Sequence, residues 1–187
     1  MPTVSDMLKD AEHRMQKAVE ATFEDYRHIR TGRANPQMLE GINVDYYGTP
    51  TPISNVSNIA APEPRQLVIT PWDKSLLGPI SKAILNSDLS LNPSNDGQVL
   101  RLVLPPLTEE RRKEFAKLAG KKTEDGKVAV RNVRRDAIEH IKKTEKSGDI
   151  SEDESKRAQE KVQKLTDDFV KQLDFAHDEK VAEILEV

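Results

Sequence analysis

The run Leu104-Pro105-Pro106-Leu107-Thr108-Glu109-Glu110-Arg111-Arg112-Lys113 separates two kinds of sequence. Proline has a fixed φ and no amide proton, so Pro105 and Pro106 stop any regular element before Leu107. Thr108 is then an N-cap, and Glu109 and Glu110 occupy the first turn, where carboxylates suit the positive end of the helix dipole. An amphipathic pattern follows to about Lys146, with Gly148 as terminator. Gly120 and Gly126 lie within it. Each costs roughly 1 kcal/mol against alanine in a helix, so a local bend or break is expected there.

Upstream of this boundary the composition changes. Of the 61 charged residues, 11 lie in the 75 residues from Thr31 to Pro105, and ten of the 11 prolines lie between Pro36 and Pro106. Long helices are therefore excluded from the middle and favoured at both ends. The middle reads as an insertion, with two crossings of the chain near Thr31-Gly32 and Pro105-Pro106 that would form a hinge. The expected division is residues 1–30 with 106–187 as one domain and 31–105 as the other.

The first helix should span about Val4 to Ile29. Thr3 and Asp6 form a capping box with Asp in place of Glu, and Val4, Leu8, Ala11, Met15, Val19, Thr22, Tyr26 and Ile29 form the apolar stripe. The third helix opens on Ser151-Glu152-Asp153-Glu154, a capping box, and carries Val162, Leu165, Phe169, Leu173, Ala176, Val181 and Ile184. No helix can bury such a stripe alone, so three antiparallel helices must share a core. In the insertion, strands are expected at Gly41–Tyr47, Gln66–Thr70 and Val99–Leu104, with a short helix near Pro79–Asn86. The fold class is α+β: a long three-helix bundle with an inserted small β/α/β domain.

Several classes of chemistry find no support. There is no cysteine, and the four histidines, His13, His28, His140 and His177, have no metal-ligand spacing. No nucleophile elbow, Walker or dinucleotide-binding glycine pattern is present. The N-terminal residues lack the apolar core of a secretory signal, and no apolar run reaches the roughly 18 to 20 residues of a membrane span. The expectation is a cytoplasmic, monomeric protein without cofactor or metal, not an enzyme.

The informative feature is cationic. Lys113, Lys117, Lys121, Lys127, Arg131, Arg134, Arg135, Lys142 and Lys146 project within roughly 140° of arc on the second helix at about 100° per residue. The face reads as nearly single-signed, with Glu124 and Glu145 at its flanks. Its densest part is Val130-Arg131-Asn132-Val133-Arg134-Arg135-Asp136, and arginine favours forked contacts to phosphate and stacking on bases. Net charge is -3 and pI about 5.9, which weighs against nucleic acid. Two readings stay open on these grounds: an RNA-binding face and a solvated helix surface.

Five strings, in order and over the full length, resemble one family. They are Ile29-Arg30-Thr31-Gly32-Arg33-Ala34-Asn35-Pro36, Asp45-Tyr46-Tyr47-Gly48-Thr49-Pro50-Thr51-Pro52, Pro105 to Lys113, Val130 to Asp136, and Ser151 to Glu154. The chain resembles ribosome recycling factors. The resemblance implies an L-shaped molecule similar in outline to tRNA, its two domains joined by a hinge. It implies binding to ribosomal RNA of the large subunit across the A and P sites after termination. Splitting of the subunits would then require elongation factor G and GTP, with initiation factor three keeping the small subunit apart. Carried over by motif, Arg134 would face ribosomal RNA, supported by Arg131 and Arg135, with Arg30 and Arg33 near the hinge. Lys127, Lys117 and Lys121 extend the face, and Thr31, Gly32, Pro105 and Pro106 match the hinge. The Tyr46-Tyr47-Gly48 turn either contacts elongation factor G or serves local packing. Two departures concern backbone shape: Ser90 stands where the family often has glycine, and Gly126 is an additional glycine.

Overall fold

The computed structural model describes residues 3–186. Its elements are α1 (Val4–Arg27), β1 (Asn43–Tyr46), β2 (Thr49–Pro52), the single turn α2 (Ile53–Val56), β3 (Ser57–Glu63), β4 (Gln66–Pro71), α3 (Leu77–Leu85), β5 (Ser94–Asn95), β6 (Leu100–Val103), α4 (Glu109–Lys146) and α5 (Glu152–Leu185). Short 3-10 helices occupy Pro36–Leu39 and Lys74–Leu76. The chain divides into two compact units at Thr31/Gly32 and Thr108/Glu109.

The first unit holds α1, α4 and α5. Arg14 meets Asp136 and Tyr26 meets Thr123, so α1 and α4 run antiparallel. Arg134 meets Gln163 and Lys127 meets Asp174, so α4 and α5 also run antiparallel. The main core joins Met7, Ala11, Met15 and Val19 of α1 to Val130, Val133, Ala137 and Ile141 of α4, and to Ala158, Val162, Phe169 and Leu173 of α5. A smaller cluster of Tyr26, Ile29, Ala119 and Ile184 closes the other end.

Between the two clusters lies a polar layer. Thr123 Oγ1 donates to the Ala119 carbonyl at 2.7 Å, so the Tyr26 hydroxyl is the donor in the short bond between Tyr26 and Thr123. Burial raises the pKa of Tyr26, which keeps the proton that this bond requires.

Both capping boxes are formed. Asp6 N–H donates to Thr3 Oγ1 at 3.2 Å, and Thr3 N–H donates to Asp6 Oδ2 at 2.9 Å. Ser151 and Glu154 repeat the exchange at 3.2 and 2.9 Å. The first helix ends at Arg27 with His28 as C-cap, earlier than the stripe suggests, and Ile29 is buried from outside the helix. The helix α4 is unbroken through Gly120 and Gly126, so their low propensity does not break it. Gly126 is buried at the crossing of all three helices, where a Cβ would collide with Thr22 Oγ1 and lie 3.4 Å from Leu173 Cδ1. Close packing of the helices thus overrides the propensity cost.

The second unit contains a four-stranded antiparallel sheet, order β3-β4-β6-β5, and a separate β1-β2 hairpin. Leu67 and Ile69 of β4, Leu100 and Leu102 of β6, Ile80 and Ile84 of α3, and Val44 of β1 share one core. The three expected strands are present, with three more. The strand β2 reads Thr-Pro-Thr-Pro, and proline argues against a strand. Among the described residues β2 pairs only with β1, so its other edge needs no amide donors. The turn places Tyr47 at φ 49° and Gly48 at φ 83°, the signs of a type I′ hairpin. Ser90 adopts φ 53°, a left-handed conformation that glycine takes without steric cost. The short helix starts two residues before Pro79, and Leu85 at its end is exposed.

Candidate nucleic-acid interface

The buried residues of α4 are Ala119, Thr123, Gly126, Val130, Val133, Ala137 and Ile141. Their mean direction sets the outward face opposite, and the cations distribute around it unequally. Arg131 and Arg135, one turn apart, are exposed and make no ion pair among the described residues. Lys117 and Lys121 are also exposed and unpaired. They lie 10 or more residues earlier, roughly 15 Å or more along the axis at about 1.5 Å per residue.

Lys127 differs from the others. Its side chain is only 14% exposed, and its ammonium pairs with Asp174 of α5 and, at 3.3 Å, with Glu124. The hydrogen bond to Asp174 raises its pKa. The group stays charged, but two carboxylates neutralise it.

The face is therefore less uniform than its spacing suggests. Lys113 is held by Glu109 at 2.7 Å and Lys143 by Glu139 at 2.9 Å, both pairs at helical i,i+4 spacing. Glu124 and Glu145, expected at the flanks, project within the cationic arc itself, and Glu139 lies at its edge. Asp136 is drawn to the α1 side by Arg14 at 2.7 Å. Among the described residues, the exposed unpaired cations that remain on this face are Lys117, Lys121, Arg131, Arg135, Lys142 and Lys146, and Arg131 and Arg135 are the arginines among them.

Arg134 stands at the edge of this face, where α4 meets α5. It is half-buried, and its Nη1 donates to Gln163 Oε1 at 3.0 Å. Its Nε is buried without a partner. Gln163 Nε2 in turn donates to Asp167 Oδ1 at 2.9 Å. Gln163, Asp167 and Asp174 were not singled out from sequence. Only the antiparallel register of α4 and α5 brings them beside the arginines, and no local motif encodes that register.

Arg30 is exposed just beyond α1, level with the N-terminal half of α4 and distant from Arg131 along the bundle. Arg33 is exposed and belongs to the second unit. Thr31 ends the first unit, and Gly32 begins the second with φ 77°, where a Cβ would lie 3.5 Å from Leu107 Cγ. Pro105 and Pro106 are exposed in the segment before α4. Among the described residues no cluster could hold a metal ion, and no helix is long and apolar enough to cross a membrane.

The chain thus combines an outward arginine pair, a half-buried third arginine and two compact units. The family described as Ribosome recycling factor matches residues 22–185. The chain belongs to the ribosome recycling factor family. A ribosome-recycling factor of Brevibacillus brevis is 56% identical over 181 residues, covering 97% of this chain and 98% of that protein. One from Clostridioides difficile is 56% identical over 182 residues, with coverage of 97% and 98%. A solution structure of a ribosome recycling factor superposes with a TM-score of 0.77 at 45% identity, covering 98% of each chain. A Thermus thermophilus ribosome recycling factor, described together with Escherichia coli elongation factor G bound to the post-termination complex, gives a TM-score of 0.67. It is 43% identical, with coverage of 98% and 99%. The family match includes the C-terminal end of α1 and all of α4 and α5, so Arg131, Arg134 and Arg135 lie within the shared fold.

Proposed function

We propose that this chain is a cytoplasmic, non-enzymatic factor that splits post-termination ribosomes into subunits together with elongation factor G and GTP, releasing mRNA and tRNA. It binds ribosomal RNA of the large subunit through the α4 face. Arg131, Arg134 and Arg135 form the centre of contact; Lys117 and Lys121 extend it, Lys127 supports it from the α4–α5 seam, and Arg30 and Arg33 add contacts near the connection. Thr31-Gly32 and Pro105-Pro106 act as the hinge between residues 1–30 with 106–187 and residues 31–105. The observation that carries this reading is the family match across both units at up to 56% identity. Free arginines on α4 supply a chemical reason, because guanidinium groups replace the counterions of a phosphate backbone.

The test is splitting of post-termination ribosomes followed by light scattering, with this protein, elongation factor G and GTP, each omitted in turn. A fall in scattering that requires all three is expected. No fall, with a homologous elongation factor G present, overturns the proposal.

A further inference from the structure

The surroundings of Arg134 have a feature that a bundle contact alone does not explain. A half-buried guanidinium loses part of its hydration, and a carboxylate is the partner that best offsets the loss. Arg134 has none among the described residues. It has a neutral amide instead, Gln163 Oε1, on Nη1, while Nε is buried and unbonded. Nη2 makes no hydrogen bond among the described residues and, unlike Nε, is not shut off from solvent. The charge is held in place and left unneutralised.

Asp167 supplies the second half of the arrangement. A glutamine amide has an acceptor end and a donor end. The bond from Gln163 Nε2 to Asp167 Oδ1, one helical turn along α5, turns the donor end away from Arg134. The oxygen is thereby presented to the guanidinium. The reverse orientation would set NH2 against Nη1, donor against donor.

We propose that Gln163, oriented by Asp167, is a positioning residue for Arg134. It fixes Nη1 and leaves the Nη2 edge and the full charge available to an RNA phosphate. The inference rests on the reading of Arg134 as an RNA contact. A glutamate at 163 would make the stronger interhelical bond, but it would cancel the charge.

The experiment measures the Kd for purified large ribosomal subunits across a salt series, using the full chain and the variants Arg134→Ala, Gln163→Ala, Gln163→Glu and Arg134→Ala/Gln163→Ala. Thermal unfolding of each variant reports the fold. Arg134→Ala should weaken binding roughly tenfold or more and lower the salt slope by about one phosphate. Gln163→Ala should weaken binding several-fold, and the double variant should bind no more weakly than Arg134→Ala. Gln163→Glu should lower the salt slope as Arg134→Ala does while raising or preserving the melting temperature. A purely structural role would not produce that combination, and this variant keeps the acceptor should Gln163→Ala unfold. If Arg134→Ala binds like the parent, the RNA-contact reading of Arg134 fails and the positioning role fails with it. If Arg134→Ala is weak but both Gln163 variants keep parental affinity and slope, the positioning role alone is overturned. Equal weakening by Gln163→Ala with and without Arg134 overturns it as well.

Discussion

The two glycines inside α4 are a controlled experiment in packing. Both are helical, and both should gain roughly 1 kcal/mol of helix propensity on change to alanine. Their surroundings differ. At Gly120 the nearest atom to a new Cβ is His177 Nε2 at 3.7 Å, an ordinary contact. At Gly126 the same atom would overlap Thr22 Oγ1 and press on Leu173 Cδ1 and Thr22 Cβ, both at 3.4 Å. The threonine hydroxyl donates to the Ala18 carbonyl at 3.1 Å, which resists rotation. Overpacking a filled core costs about 1–3 kcal/mol, and an overlap of this kind belongs at the upper end. Gly120→Ala should therefore stabilise the protein by up to about 1 kcal/mol, and Gly126→Ala should destabilise it by about 2 kcal/mol. At roughly 2–4 °C per kcal/mol for a chain of this length, the melting temperatures should move in opposite directions and separate by about 6–12 °C. Adding Thr22→Ala to Gly126→Ala removes the overlapping oxygen and should recover much of the loss. Circular dichroism melts and urea titrations measure this directly. Equal stability of the two single variants would refute the argument that helix approach dictates the glycine at 126.

Three further outcomes follow from the same structure. Ser90→Gly should stabilise the second unit by up to about 1 kcal/mol, because the left-handed conformation costs a residue with a Cβ about 1–2 kcal/mol and the greater chain entropy of glycine offsets part of the gain; a melting temperature that falls would contradict this. Ser151→Ala should cost about 1 kcal/mol by removing a cap. The cap also depends on pH. Backbone and side-chain bonds from Ser151 hold the Glu154 pKa below its usual value. Its stabilisation is present above the ordinary carboxylate range and lost as pH falls through the lowered folded-state value, so the parent and Ser151→Ala should converge in acid unfolding curves. Lys127→Met should cost about 1 kcal/mol of stability, intermediate between an exposed and a buried pair. It should change the salt slope of large-subunit binding less than Arg131→Met does, because Glu124 and Asp174 already neutralise Lys127; the reverse order would show that Lys127 meets phosphate directly.

Local signals made the helical unit readable, and their limits show where reading stopped. Thr3, Asp6, Ser151 and Glu154 are complete instructions within four residues, and each box forms as its residues dictate. The alternation of Leu67 and Ile69, or of Leu100 and Leu102, likewise states its own burial. The strand β2 was not readable, because Pro50 and Pro52 argue against a strand unless one knows that its second edge is unpaired. Met7 was absent from the expected stripe of α1 although it is buried, and Leu8 took its place there although it is only partly buried. A one-residue rotation of that kind is set by the neighbouring helices rather than by periodicity.

The candidate site divides along the same line. The spacing of Arg131 and Arg135 placed them outward, and they are outward. Spacing placed Lys127 and Arg134 on the same arc, but both lie at its edge, where a second helix begins. There α5 decides their state through residues 29 to 47 positions away: Gln163 leaves one cation charged, and Asp174 neutralises the other. Charge on a helix face is thus a property of the seam as much as of the helix. Helical projection counts the cations, but the acceptors facing them across the seam determine how many remain free to meet a phosphate.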